Sequence, residues 1–175
     1  MGIGRYAVAL DLGTTAVKAA LIDLHGRIRA VATRECSLET PAPRMVEQDP
    51  NAWFDTACEA IREAASGVNP EDVLGIGVSS QGISFVLTDE RFQPLTKGVS
   101  WLDTRAKTQA EALLARYPAQ QLFRMTGKYS TLGYTLPTLL WMFENRRELK
   151  AAARHCLMPM DYAIAHMTGC AVSER

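Results

Sequence analysis

Three strand-like runs separated by two short turns open the chain, and they leave it little choice of fold. Tyr6 to Leu10 alternates large and small apolar residues, Gly13-Thr14-Thr15 supplies a turn, and Ala16 to Ile22 is apolar again apart from Lys18. Asp23-Leu24-His25-Gly26 forms a second turn, with Gly26 available for positive φ, and Arg27 to Glu35 reads as a third strand. Strands joined by turns this short must run antiparallel. The chain is therefore expected to begin as a meander whose first hairpin carries Asp11 to Thr15 at its tip.

Helical spacing follows. Pro41, Pro43 and Pro50 punctuate a loop, after which Trp53, Ala57, Ala60, Ile61 and Ala64 recur at the period of an amphipathic helix, with Asp49 as N-cap, Pro50 at the first helical position and Gly67 as a stop. Leu74 to Ser79 is a short buried strand and Phe85 to Thr88 another, broken from it at Gly82. Beyond Trp101 the pattern turns helical: Ala106, Ala110, Leu113 and Leu114 mark one face up to Pro118, and Leu122 and Phe123 a shorter piece. Thr126 to Tyr134 reads as a polar loop, Pro137 as the opening of a helix with Leu139, Leu140, Trp141 and Phe143, Glu148 to Ala153 as another helix, and Asp161 as a candidate cap of a last one before Gly169. Alternating strands and helices, without repeats or linkers, predict a single layered α/β domain over residues 1–175.

Composition narrows the function classes. Nineteen Lys and Arg balance nineteen Asp and Glu, so no general attraction to nucleic acid or anionic lipid is expected. No uncharged apolar stretch reaches spanning length, and the start lacks a signal-peptide core, so no membrane association and a cytoplasmic location are expected. Cys36, Cys58, Cys156 and Cys170 are too scattered for a zinc spacing and read as reduced thiols. His25 reads as a turn residue, His155 and His166 as helix-end or core residues. Met125, Met142, Met158, Met160 and Met167 read as gap-filling core, and Trp101 also as core.

Chemistry concentrates in a few segments. In Asp11-Leu12-Gly13-Thr14-Thr15 a small residue lets backbone approach a ligand, the Thr hydroxyls and amides can face oxygens, and Asp11 at a strand end can organise a hydrated Mg²⁺. Read alone, the same five residues also describe a plain hairpin turn with Asp and Thr capping backbone amides. Asp103 and Arg105 are open between a ligand-reading pair and either a surface ion pair two residues apart or an Asp103 helix cap; Gln81 is open between a ligand contact and a satisfied strand-end amide. No Walker-type loop and no dinucleotide fingerprint appears.

The acidic strand end, the Gly-Thr-Thr turn and the returning strand with Lys18 resemble the phosphate-binding hairpin of the actin, hexokinase and Hsp70 superfamily, which implies an RNase H-like α/β domain. Glu47-Gln48-Asp49-Pro50 with Trp53, Gly75 to Gln81, Trp101-Leu102-Asp103-Thr104-Arg105, Thr126-Gly127 followed by Trp141, and Pro159-Met160-Asp161-Tyr162 with Thr168-Gly169 are similar, in order and spacing, to the amino-terminal domain of FGGY carbohydrate kinases such as xylulose and glycerol kinases. That resemblance runs from about residue 6 to the last. It implies ATP-dependent phosphorylation of a sugar, polyol or related hydroxyl, with ATP and Mg²⁺ as cofactors. It sets Asp11, Gly13, Thr14, Thr15 and Lys18 against the ATP phosphates and metal, Asp11 as the metal residue, and Gln81, Gly82, Asp103 and Arg105 near the carbohydrate. In the family the catalytic base is an Asp well downstream of the Thr-Gly element, so the resemblance assigns no catalytic residue within 1–175 and expects the base and a carboxy-terminal partner domain further along the chain. It leaves a homodimer open. An actin- or Hsp70-like ATPase would share the hairpin but has no reason to carry Gln81 and the segment from Trp101 to Arg105; a non-catalytic sugar-binding regulator is the remaining alternative.

One departure concerns the acceptor. After Gln81, glycerol kinases carry Arg-Glu and xylulose kinases Met-His, whereas this chain has Gly82 and Ile83. Loss of a charged reader and gain of space point to a different or larger acceptor. Replacing Gly82 and Ile83 by Arg and Glu is expected to change the order of preference across a panel of polyols and ketoses; an unchanged order refutes this.

Overall fold

The computed structural model describes residues 5–128 and 134–173. Three strands come first, β1 (Tyr6–Leu12), β2 (Ala16–Asp23) and β3 (Ile28–Glu35), then the two-residue β4 (Glu47–Gln48) and helix α1 (Pro50–Ala64). A 3-10 turn over Pro70–Asp72 leads into β5 (Val73–Ser80), β6 (Val86–Thr88) and β7 (Gly98–Val99). Helices α2 (Lys107–Arg116), α3 (Ala119–Thr126), α4 (Thr135–Asn145) and α5 (Arg147–Ala152) follow, and β8 (His155–Leu157) precedes α6 (Pro159–Thr168). By internal contact the chain divides into two compact units, one of Met1–Leu38, Asp49–Gln81 and Leu157–Arg175, the other of Glu39–Gln48 and Gly82–Cys156.

The first unit is built on the expected meander. Its sheet has the order β3-β2-β1-β5, with β1, β2 and β3 antiparallel in turn and β5 parallel to β1. The turn after β2 is held by Asp23, whose Oδ1 accepts from the His25 and Arg27 amides at 2.9 and 3.0 Å, and Gly26 takes φ +76° there. Side chains alternate across the sheet. Val8, Leu10, Leu12, Val17, Ala19 and Leu21 point to one face and are buried, where they meet Ala57, Ala60 and Ala64 of α1 and Ala163 of α6. Burying each large aliphatic of this set is worth roughly 1.5–3 kcal/mol, and the alanines on the helices let backbone come close to the sheet.

Helix α1 starts where its chemistry says it should. Asp49 is the N-cap, its Oδ1 accepting from the Asn51 amide at 3.0 Å, and Pro50 occupies the first turn, where no amide hydrogen is needed. Trp53 and Tyr162 of α6 bury completely and meet edge to face, ring centroids 6.2 Å apart, while the Tyr162 hydroxyl donates to Asn51 Oδ1 at 3.0 Å. His166 packs on Phe54 and Tyr162.

In the second unit, β4 pairs with β7 and β6 with β8, and a bridge joins Phe85 to Val99. Phe85, Leu87, Val99, Met142 and Leu149 form its core. Several expectations are corrected. Helix α4 begins at Thr135, so Pro137 is its third residue, a position still free of intrahelical amide bonding. Asp161 lies three residues inside α6 and caps it from there, accepting from the Met158 amide at 3.1 Å. His155 lies in β8 against the Phe92 ring, not at a helix end. Trp101 is 47% exposed and Met125 67% exposed, so neither is core. The expected loop from Thr126 to Tyr134 falls largely outside the described residues. No disulfide joins the cysteines, and among the described residues no helix is long and apolar enough to cross a membrane.

Tyr162 makes the packing of α6 on α1 sensitive to alkali. Burial, with smaller contributions from the nearby Asp49 and Asp55 charges, pushes its hydroxyl up to about 12. Because the folded value lies above the unfolded value of about 10, the stabilisation is complete below pH 10 and is lost as pH rises from there towards 12, by roughly 2–3 kcal/mol in total. Thermal unfolding from pH 9 to 11.5 should show Tyr162→Phe less stable than wild type at pH 9 by about 1 kcal/mol, for the lost bond to Asn51. That gap should close or reverse at the alkaline end.

Candidate functional site

The predicted phosphate-side residues lie along the first hairpin of the first unit, Asp11 and Lys18 on its strands and Gly13, Thr14 and Thr15 in its turn. Because Leu10 and Leu12 face the core, Asp11 faces the open side of the sheet; Lys18 is its direct partner across the β1–β2 ladder and faces the same way. The two line a shallow cavity of about 580 Å³ with the small Ala9, Ala20, Gly77 and Ser79 and with the exposed Ile28 and Val31 to one side. At the tip, the Gly13 amide donates to the Ala16 carbonyl at 3.0 Å. A Cβ on Gly13 would stand 2.6 Å from that carbonyl oxygen, so glycine here closes the hairpin on itself. Thr15 is exposed, and its carbonyl accepts from the Cys36 amide at 2.9 Å. A second cavity of about 620 Å³, lined by Val8, Ile61, Val73 and Ile76 among others, contains none of the predicted residues.

Gln81 joins this hairpin. Its amide continues the β1–β5 pairing by donating to the Leu12 carbonyl at 2.9 Å, and its side-chain Oε1 accepts from the Thr14 hydroxyl at 3.1 Å. Gln81 is thus a hydrogen-bonded strand-end residue whose side chain is tied to the turn.

Asp103 and Arg105 form a buried cluster within the second unit. Asp103 is 1% exposed, and its Oδ2 accepts from the Val46 amide at 2.7 Å and from Arg105 Nη2 at 2.7 Å. Its Oδ1 accepts from the Arg105 amide and Nε, both at 3.0 Å. Arg105 Nη2 also donates to Glu47 Oε1 at 2.7 Å, and the guanidinium lies 5.2 Å from the centroid of the Trp141 ring. Burial works against the guanidinium charge, but hydrogen bonds and charges from Asp103 and Glu47 outweigh it and hold the Arg105 pKa above its ordinary value. This is neither a surface pair nor a helix cap. Gly82 is exposed, with open space where a side chain would begin.

The sequence from residue 6 to 175 matches the amino-terminal domain of the FGGY family of carbohydrate kinases. The chain belongs to that family. It is 32% identical over 167 residues to the xylulose kinase of Bacillus subtilis (strain 168), covering 94% of this chain and 33% of that protein. Among solved structures it resembles a xyloylose kinase from Brucella ovis (TM-score 0.85, 33% identity, 94% of this chain and 34% of that one). It also resembles a gluconate kinase from Lactobacillus acidophilus (TM-score 0.88, 28% identity, 95% and 34%). The chain thus spans about a third of the length of the curated relatives it matches. The fold is that of FGGY kinases, the actin- and hexokinase-like α/β architecture that the resemblance of the first hairpin implied.

For an FGGY domain the donor set around Asp11 is informative. Among the described residues no cluster of three His, Cys, Asp or Glu could hold a metal ion. One exposed carboxylate with a lysine across the ladder instead suits a hydrated Mg²⁺ that arrives with phosphate oxygens and keeps most of its waters. Glu47 and Trp141 belong to the family-like motifs but carried no site role in sequence; the structure brings both to Arg105. The sequence signal for Glu47 was its place in the Glu47-Gln48-Asp49-Pro50 motif, since the burial that brings it to Arg105 is tertiary.

Removing one partner of a buried pair leaves a charge without compensation and costs about 3–5 kcal/mol. Asp103→Asn is therefore expected to lower the urea midpoint by the equivalent of about 3 kcal/mol. Glu47→Gln should cost clearly less, because Glu47 makes one bond and its side chain is 18% exposed. Equal losses would show that Asp103 does not anchor the cluster.

Proposed function

We propose that this chain serves the ATP-dependent phosphorylation of a carbohydrate hydroxyl, as part of a kinase that extends beyond these residues. The observation that carries the reading is the open sheet face with Asp11 and Lys18 side by side above small residues, in a chain of the FGGY family. Phosphoryl transfer needs positioned charge more than covalent help. Lys18 offers a cation to phosphate oxygens and the exposed Thr15 hydroxyl a donor, while Thr14, whose hydroxyl donates to Gln81, and Gly13 keep the tip in shape. Asp11 would hold Mg²⁺ through water, and the metal would neutralise phosphate charge.

The bond from Thr14 ties Gln81 to the phosphate-side turn within the first unit. On the acceptor side, Gln81 would read a hydroxyl and Gly82 would leave room for the sugar. Arg105 would offer donors at a fixed place, and Asp103, whose oxygens are taken by Val46 and Arg105, would act by holding that guanidinium. The relatives' names, xylulose kinase and gluconate kinase, support a polyhydroxylated acceptor of sugar size. The general base and a carboxy-terminal domain are proposed to lie in further chain, and a cytoplasmic enzyme able to pair as a homodimer is the setting this reading adopts.

Coupled ADP release with Mg-ATP and a panel of ketoses, polyols and aldonates tests this. The complete reading frame should turn over one acceptor class while the 175-residue chain stays silent, and Asp11→Asn in the complete enzyme should lower kcat/KM for ATP by about 100-fold. Silence of a folded complete enzyme, or turnover by the short chain, overturns the proposal.

A further inference from the structure

Ile83 occupies a backbone conformation that its side chain resists. Its φ is +72°, and among the described residues the other non-glycines with positive φ are Arg44 and Phe92, neither β-branched. A β-branched residue in the left-handed region is a genuine outlier, and such strain persists only where the surroundings impose it. Here the Ser84 amide donates back to the Gly82 carbonyl at 2.8 Å, closing a three-residue turn centred on Ile83. The fully buried Ser84 is fixed in turn, its Oγ accepting from the Trp101 amide at 3.0 Å.

One bond reaches the strained residue itself. The Thr135 hydroxyl, at the first position of α4, donates to the Ile83 carbonyl at 3.0 Å. Six residues along the same helix, about 9 Å at 1.5 Å per residue, the Trp141 ring lies over the Arg105 guanidinium. Helix α4 therefore touches both segments, 82–84 and 101–105, through side chains on one rigid element.

We infer that Thr135 is a positioning residue for the acceptor: its hydroxyl holds the Gly82-Ile83-Ser84 turn in its strained form, and α4 sets that turn in register with Arg105. This role rests on the reading of Gln81 to Ile83 and Arg105 as the acceptor side. Thr135→Val removes the hydroxyl at nearly constant shape, and Thr135→Ser keeps it.

Two measurements on the complete enzyme separate the inference from that reading. Hydrogen exchange at the Ser84 amide should quicken about five- to tenfold in Thr135→Val and not in Thr135→Ser, at an unchanged urea midpoint. With the acceptor that wild type phosphorylates, KM for the acceptor should rise by a similar factor in Thr135→Val while kcat and KM for ATP hold, and Thr135→Ser should behave as wild type. Unchanged exchange overturns the clamp whether or not the enzyme is a kinase. Faster exchange with unchanged acceptor KM, or a loss of kcat and both KM values together, leaves Thr135 a stability residue and overturns its positioning role. A wild type that phosphorylates no acceptor removes the proposed function, and with it the positioning role, while the exchange result still judges the clamp.

Discussion

The register of the first hairpin governs everything on the open sheet face. Strands have a period of two, so a slip of one residue would turn Leu10 and Leu12 outward and bury Asp11 and Lys18 under α1. Leu12 pairs with Val17 and Asp11 with Lys18, and the buried partners on the other face, all at most 3% exposed, penalise any alternative. Gly13 completes the lock. With a Cβ there the turn would collide with the Ala16 carbonyl, so the pairing would have to loosen where Asp11 sits. A glycine that looks like a ligand-facing residue in sequence thus does its first work on the backbone, and placement of the charged pair follows from it.

A different constraint orders the second unit. A guanidinium with a 7% exposed side chain must be neutralised, and the nearest carboxylate in sequence, Asp103, is joined by Glu47 from 58 residues away. Such a cluster contributes little net stability, because desolvation consumes most of the attraction. Its value lies in geometry. Asp103 binds the Val46 amide as well as Arg105, so the segment carrying β4 is fastened to the segment after β7 by charged bonds that tolerate small errors poorly.

How much of this was legible follows from which forces are local. The meander, the Asp49-Pro50 start of α1 and its alanine-rich buried stripe are written in turn chemistry and periodicity, and the structure repeats them nearly residue for residue. Strands β4, β7 and β8 have two or three residues each, too short to show a period, and exist because distant segments pair. The burial of Arg105 is tertiary for the same reason. Trp101 misleads because its size suggests core, yet its neighbours Ser100 and Asp103 take the buried positions, at 1% exposure each, and their own bonds turn Trp101 and Leu102 outward. The family motifs reached further than periodicity could, since they marked Glu47 and Trp141 before any contact was visible.

Gly82 and Ile83 go against local preference altogether. If backbone freedom alone had chosen the residues, glycine would stand at 83, where φ is +72°, and a larger residue at 82, where nothing lies within 4 Å of the place a Cβ would take and φ is outside the left-handed region. The chain has the reverse order. Local preference and fold usually agree in natural sequences, and their disagreement concentrates where something other than stability is being satisfied. Neither packing nor backbone asks for the missing side chain at 82, and the backbone opposes the branched one at 83. The proposed acceptor surface, with space at one position and an apolar residue at the next, would account for both, and it falls on the same turn that Ser84 and Thr135 hold fixed.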